Sequence, residues 1–388
     1  MTNSTEIRPF RIEIPQADLD DLADRLSRTR FAEPAPADAA PAAPAPASLG
    51  FPSGWEYGVP TDVVRRLVEY WRTGYDWRAW ESKLNAHPQF TTTVDAQQIH
   101  FLHVRSPEPD AIPLVLTHGW PGSIVEYLGI IGRLSDPKAH GADPSIAFDL
   151  VIPSIPGYGF SGPTTAAGWD NQRIAAAWVE LMRRLGYDRY GAVGNDAGSM
   201  ISPEVGRLDP AHVIGVHVTQ VFSFPSGDPS EFADLSEEEQ EGMAVLNWFW
   251  QNLGAFNQLQ SQQPQTLAHA LEDSPAGLLG WNSQLLGPDL DDDFILTNTM
   301  VYWLTRTAGS SVRHYYENAR MTPPTEPTTV PLGLAMAGGD FVSIRRFADR
   351  DHKNIVSWNR YPRGSHYAAH LEPDQLAGDI RQFFAAVR

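Results

Sequence analysis

Four short apolar runs, PLVLTHG (113–119), FDLVIPSIPGYG (148–159), YGAVGND (190–196) and VIGVHVTQ (213–220), follow one another with helix-like segments between them. Each is apolar along nearly its whole length instead of alternating, so each suits a strand buried on both faces. Strands of that kind, spaced by helices, predict an α/β fold with a parallel sheet covered on both sides. The rhythm breaks near Phe222. From Ser226 to about Pro323 the patterns are helical, with an acidic start (LSEEEQEGM), a dense aromatic stretch (NWFWQNLGAFNQLQ) and SSVRHYYENAR. Strands resume with VPLGLAMAGG and NIVSWNRYP, and PDQLAGDIRQFFAAV predicts a terminal helix. A helical insertion between strands of one sheet is expected to form a lid over the carboxyl edge, where open α/β sheets take their ligands.

Before the first run the texture differs. FRIEIP leads into Ile14, Leu19, Leu22, Leu26 and Phe31 at helical intervals, which predicts a short surface helix. Pro34 to Pro46 (PAPADAAPAAPAP) cannot sustain an ordinary helix and reads as an extended linker. Trp55, Tyr57, Tyr70, Trp71, Tyr75, Trp77 and Trp80 form an aromatic stripe better suited to packing than to holding a ligand. The expected division is 1–105, an N-terminal meander packing on core and lid; 106–225, the first part of the core; 226–323, the lid; and 324–388, the second part of the core.

Composition narrows the function. The absence of cysteine excludes disulfides, thiolate nucleophiles and Cys-ligated metals. A net charge of −18 disfavours nucleic acid and anionic lipid as partners and points to a neutral or cationic substrate. No stretch approaches 18 consecutive apolar residues, and MTNSTEIRPFRIEIP lacks the regions of a secretory signal, so a cytoplasmic location without membrane is expected.

The strongest local signal is Gly194-Asn195-Asp196-Ala197-Gly198, between a strand-like run and a helical segment. Such a string arises by chance in about one chain of this length in seven, so its context decides. Flanking glycines permit the sharp strand-to-helix turn that lifts a side chain above the sheet, the nucleophile elbow of an α/β-hydrolase fold, here with Asp196 as the nucleophile. His118-Gly119-Trp120-Pro121-Gly122-Ser123 also follows a strand, and the Trp120 amide pairs with that of Ala197 as an oxyanion hole. His366, in RGSHYAAH, has the position of the catalytic histidine, and Asp340 that of the orienting acid. His370 lies four residues beyond His366, but without His-Glu-x-x-His no zinc site is read, and neither metal nor cofactor is expected. Gly157-Tyr158-Gly159-Phe160-Ser161-Gly162 outlines a dinucleotide fingerprint, yet Pro163 and TTAAG do not continue as the helix that would hold a pyrophosphate.

Taken together, HGWPGS, PGYGFSG, the Gly-x-Asp-x-Gly elbow, SSVRHYYEN and RGSHYAAHLEP resemble the microsomal-type epoxide hydrolases over nearly the whole chain, including the N-terminal meander opening on an FxIxIP segment. The animal members are membrane-anchored; with the meander at the start of this sequence, no hydrophobic anchor before it is expected. The resemblance implies opening of a bulky apolar epoxide to a vicinal diol through an Asp196 alkyl ester, with water as the second substrate. It implies that Tyr315 donates a proton to the leaving oxygen and that His366, oriented by Asp340, activates the water. A second donor tyrosine of the family falls on Phe256, which has no proton to give, so the expectation is a slower reaction, another donor such as Gln258, Tyr302 or Tyr316 in its place, or a changed reaction. The family's Trp after the nucleophile is Ala197 here, and Asn195, Trp248, Trp250 and Phe256 are expected to line the pocket.

Two other readings fit the same elbow: dehalogenation, which Asn195 and Phe256 favour, and a catalytically inactive binding protein. Oligomeric state is open, a homodimer included. The Ala/Pro tract suggests a high-GC style of sequence and a setting in secondary metabolism.

Overall fold

A computed structural model describes residues 5–36, 46, 52 and 54–388. The linker read at Pro34–Pro46 therefore falls mostly outside the described residues. Nine strands are present among the described residues: β1 Arg8–Phe10, β2 Gln89–Val94, β3 Gln97–Val104, β4 Ile112–Thr117, β5 Phe148–Pro153, β6 Tyr190–Gly194, β7 Val213–Val218, β8 Leu332–Gly339 and β9 Ile355–Ser365. They form one sheet in the order β1-β2-β3-β5-β4-β6-β7-β8-β9. The six strands from β5 to β9 are parallel, and all six apolar runs of the sequence lie among them. This is the α/β-hydrolase fold.

The N-terminal segment does more than pack on the core. Its β1, β2 and β3 extend the sheet antiparallel, through pairs such as Phe101↔Pro153 and Val104↔Leu150. The hairpin between β2 and β3 turns on Asp95 and Ala96, both at positive φ (49° and 60°). Tight hairpins of this kind usually announce themselves with Asn-Gly or Asp-Gly, so this turn carries little sequence signal. The first helices are α1 Gln16–Ser27, α2 Thr61–Thr73 and α3 Trp77–Leu84, and most of the aromatic stripe packs there, though Tyr57 is exposed. Trp71 and Trp77 are buried, the Trp71 indole donates to the Met300 sulfur, and Tyr70 donates to Asp293.

Helices α4 Leu128–Ser135, α5 Asn171–Arg184 and α6 Ala197–Leu208 follow within the first part of the core. Between β7 and β8 come only helices among the described residues: α7 Glu237–Asn252, α8 Ala255–Gln262, α9 Pro264–Asp273, α10 Pro275–Leu286, α11 Asp292–Thr305 and α12 Ala308–Asn318, after a short 3-10 turn. The acidic start of α7 is a capping box in which Ser236 and Glu239 satisfy each other's backbone amides. Helices α13 Arg345–Asp351, α14 Ala368–Leu371 and α15 Pro373–Val387 complete the chain, the last at the predicted boundaries. No helix among the described residues is long and apolar enough to cross a membrane. The glycine-rich 157–162 segment is a 3-10 turn, and the next helix starts only at Asn171, so no helix N-terminus stands behind those glycines.

Candidate active site

Four loops at the carboxyl ends of β4, β6, β8 and β9 meet at Asp196. The turn after β6 places Asp196 at φ 53° and ψ −118°, a left-handed conformation that costs a non-glycine residue ~1–3 kcal/mol. Close packing enforces it. A Cβ on Gly194 would stand 2.0 Å from the Gly198 carbonyl oxygen, and one on Gly198 would stand 1.8 Å from that of Thr117. Gly119 is equally constrained, because a Cβ there would fall 2.1 Å from Asp196 Oδ1. The elbow thus requires glycine on both sides of the aspartate and a third glycine in the facing loop.

The two carboxylate oxygens of Asp196 have different neighbours. Oδ1 accepts a hydrogen bond from the Trp120 amide at 2.9 Å, while Oδ2 lies 3.6 Å from His366 Nε2. Ala197 opens α6, so its amide is among those that lack an intrahelical acceptor. His366 follows β9 directly, and its Nδ1 is bonded to Asp340 Oδ1 at 2.9 Å. Asp340 follows β8 and is buried. Burial disfavours the His366 imidazolium, but the charges of Asp340, Asp196 and Glu126 outweigh it and push its pKa up to about 9. His118 does not take part directly. Its Nε2 accepts from the Ile155 amide and its Nδ1 faces the Gly119 carbonyl, so it braces the Trp120 loop, and burial pushes its pKa down to about 4.

Above Asp196, three rings meet. Phe256 stacks on Trp120 with centroids 5.9 Å apart, and Tyr315 stands edge-on to both, at 5.9 and 6.0 Å. No hydrogen bond is found for the Tyr315 hydroxyl among the described residues. Burial, reinforced by the charge of Asp196, raises the phenol well above its usual value and keeps it protonated. The three substitutes expected for the missing second phenol are not placed for the task. Tyr302 donates to the Gly122 carbonyl at 2.6 Å, Tyr316 lies under the Arg320 guanidinium, and Gln258 is exposed. Gln260, one turn beyond Phe256 on α8, is buried. Its Oε1 accepts from the Trp281 indole, which leaves its amide nitrogen without a partner among the described residues.

Two expected pocket residues are corrected. Asn195 does not face a pocket; the strand-to-helix turn sends it beneath the elbow. There its Oδ1 accepts from Thr219 Oγ1 at 2.7 Å and from Gln220 Nε2 at 2.9 Å, and its Nδ2 donates to Glu126 Oε1 at 3.3 Å. Trp250 is 38% exposed and touches Phe224 and Phe249. It is Phe249, one residue earlier and rotated about 100° on α7, that reaches Phe256, at 6.5 Å. Trp248 is half-buried on the same helix. His370 pairs with Asp291 and stacks on Phe294, and no metal-holding cluster occurs among the described residues.

The fold also recruits residues that carry no motif. Gln220 accepts from the Asp196 amide at 2.8 Å and donates to Asp340 Oδ2, joining elbow and acid. Ser123 donates to Asn298 of α11 at 2.7 Å, and Tyr302, also on α11, holds Gly122, so one helix of the insertion clamps the loop that carries Trp120.

An elbow aspartate and a histidine–acid pair at the carboxyl edge of this sheet are the arrangement of an α/β hydrolase. The chain belongs to the epoxide hydrolase family. The family "Epoxide hydrolase N terminus" matches residues 7–127, and "alpha/beta hydrolase fold" matches residues 112–278. A Stigmatella aurantiaca protein assigned as an epoxide hydrolase is 39% identical, over 98% of this chain and 86% of its own. Epoxide hydrolase 1 of Sus scrofa is 31% identical over 97% of this chain and 88% of its own. Among solved structures, that of Aspergillus niger epoxide hydrolase superposes with a TM-score of 0.85 at 28% identity, covering 100% of this chain and 98% of that one.

Proposed function

We propose that this epoxide hydrolase opens its substrate through a covalent ester on Asp196. The observation that carries the proposal is the split environment of the Asp196 carboxylate, one oxygen on the Trp120 amide and the other toward His366. Oδ2 attacks an epoxide carbon, the C–O bond breaks, and the electron pair goes to an alkoxide that takes the Tyr315 proton. Charge leaves Asp196 as it appears beside Tyr315, so the influence that held the phenol proton fades when the proton is needed. The same neutralisation removes one of the anions that keep a proton on His366. His366 gives up its resting proton to solvent, and the neutral imidazole then takes a proton from water, whose oxygen adds to the ester carbon. The charge on Oδ1 rests on the Trp120 and Ala197 amides. Collapse expels the diol oxygen, which takes the proton from His366, and the Asp196 acid returns one to Tyr315.

The rings of Phe256, Trp120, Tyr315 and Phe249 suit a bulky apolar epoxide. Dehalogenation loses its main support, because the Asn195 amide is bound to Glu126 beneath the elbow and cannot stabilise a halide. A cytoplasmic setting rests on the sequence argument alone. Single turnover in 18O-water with excess enzyme tests the reading: the label is expected in the Asp196 carboxylate and absent from the first diol released. Label in that diol would mean direct attack by water and would overturn it.

A further inference from the structure

A buried acid beside the site has no part in the steps above. Glu126, in the 3-10 turn Ile124–Tyr127, is 1% exposed. Its Oε1 accepts from Asn195, but Oε2 is shielded from solvent and has no hydrogen-bond partner among the described residues. An unpaired buried carboxyl oxygen costs stability, and where such a group persists a functional reason is the first to test. The fold makes room for it: a Cβ at Gly122 would come within 2.5 Å of Oε2, so a side chain there would push the carboxyl aside.

Its surroundings tie it to the catalytic base. Through Asn195 and then Gln220 it belongs to the buried chain of hydrogen bonds that ends on Asp340, which holds His366. The groups that influence it are His366 after β9, Asp196 and Asn195 of the elbow, and its neighbour Tyr127, whose hydroxyl donates to the Thr117 carbonyl. Tyr367, next to His366, faces it as well. Glu126 and His366 act on each other in opposite directions, the acid favouring the imidazolium and the imidazolium favouring the carboxylate.

Resting on the ester mechanism, we propose that Glu126 is a positioning residue of the hydrolytic step, a second acid beside Asp340 that strengthens His366 as the base when Asp196 carries the ester. Ester formation takes away the charge of Asp196, so the imidazolium formed from water must be stabilised by the acids that remain. Asp340 does this by direct contact; Glu126, whose pKa burial pushes up to about 8, does it through space by releasing its proton as His366 gains one, the two protonation equilibria moving together. The transfer itself is simple: a water O–H bond breaks, its proton goes to His366 Nε2, and its oxygen joins the Asp196 carbonyl carbon.

The test follows the two half-reactions of the full-length enzyme separately across pH, by rapid mixing with styrene oxide, acid quench and intact mass. Glu126→Gln keeps an oxygen for Asn195 but carries no charge. It is expected to move the acid-side midpoint of ester hydrolysis to lower pH and to slow that step about threefold or more at its plateau, because a less basic imidazole is a weaker general base. The rate of ester formation is expected to change by less than about twofold, since His366 takes no part in that step. Glu126→Asp retains the charge one methylene further back and should return the midpoint towards wild type. If Glu126→Gln does not fold, a smaller downward shift in Glu126→Asp carries the test. An unmoved midpoint in the folded variants, or both half-reactions slowed alike, overturns the inference. A wild-type enzyme that never accumulates the ester instead overturns the mechanism on which it rests.

Discussion

Asp196 combines a strained backbone, a hydrogen-bonded oxygen and a second oxygen open toward His366, and each property comes from a different stretch of chain. The missing second phenol is the clearest departure from the resemblance. Phe256 already stacks on Trp120 and meets Tyr315, so Phe256→Tyr would add a hydroxyl on the face of α8 that adjoins both. A hydrogen bond to a developing charge is worth ~1.5–3 kcal/mol, so ester formation is expected to accelerate by about 10-fold or more in single-turnover kinetics. Asn195→Ala would leave Thr219, Gln220 and Glu126 without a shared partner. A loss of ~1–3 kcal/mol in urea unfolding is expected. That Asp196, His366 and Asp340 would come together was legible because motif and chain order mark them, and Tyr315 was named by the resemblance alone. Asn195 was misread because adjacency in sequence says nothing about the direction in which a sharp turn sends a side chain. Gln220 and Glu126 were invisible: the first lies 24 residues beyond Asp196 and the second precedes Asn195 by 69, and only the folded sheet brings them together.

Among elements, the elbow and its facing loop are the least tolerant of change. Gly198→Ala would drive a methyl into the Thr117 carbonyl and Gly119→Ala would drive one into the Asp196 carboxylate. The first is expected to unfold the elbow, with Tm falling by several degrees or folded protein lost. The second also meets the Asp196 Cβ at 2.3 Å, an atom that side-chain rotation does not move, so the elbow must shift and both stability and ester formation are expected to fall. Calorimetry and intact mass would follow both, and an unchanged Tm with unimpaired ester formation in either variant would contradict the packing described. The parallel strands β4 to β8 were read correctly because each is a mostly apolar run, and β9, IVSWNRYPRGS, lies half-polar at the edge of the sheet. The β2–β3 hairpin was missed because QFTTTV is half polar and its turn is Asp-Ala, and the three antiparallel strands show how far the N-terminal segment belongs to the sheet.

For the molecule as a whole, the buried cluster makes stability depend on pH. His366 is raised to about 9 from 6.5 and Glu126 to about 8 from 4.5, the latter mainly by burial. In both cases the folded state holds a proton that the unfolded chain has released. Their contribution is complete below the unfolded values and is lost as pH rises through the folded ones. The buried histidines His100, His118, His314 and His352, held at about 3 to 4, contribute in the opposite sense up to about pH 6.5, so the unfolding free energy is expected to decline from about pH 6.5 to about 9, and Glu126→Gln should make that decline shallower below about pH 8. An identical slope in chemical denaturation would contradict the assigned shifts. The central claim, that a carboxylate of the protein itself attacks the epoxide, has a more direct test. His366→Gln should form the ester and fail to hydrolyse it. Intact mass spectrometry of that variant after exposure to an epoxide is expected to show one added substrate mass, located on Asp196 by peptide mapping and absent from Asp196→Asn. An unmodified protein that still turns the epoxide over, or an adduct on any other residue, would contradict the account.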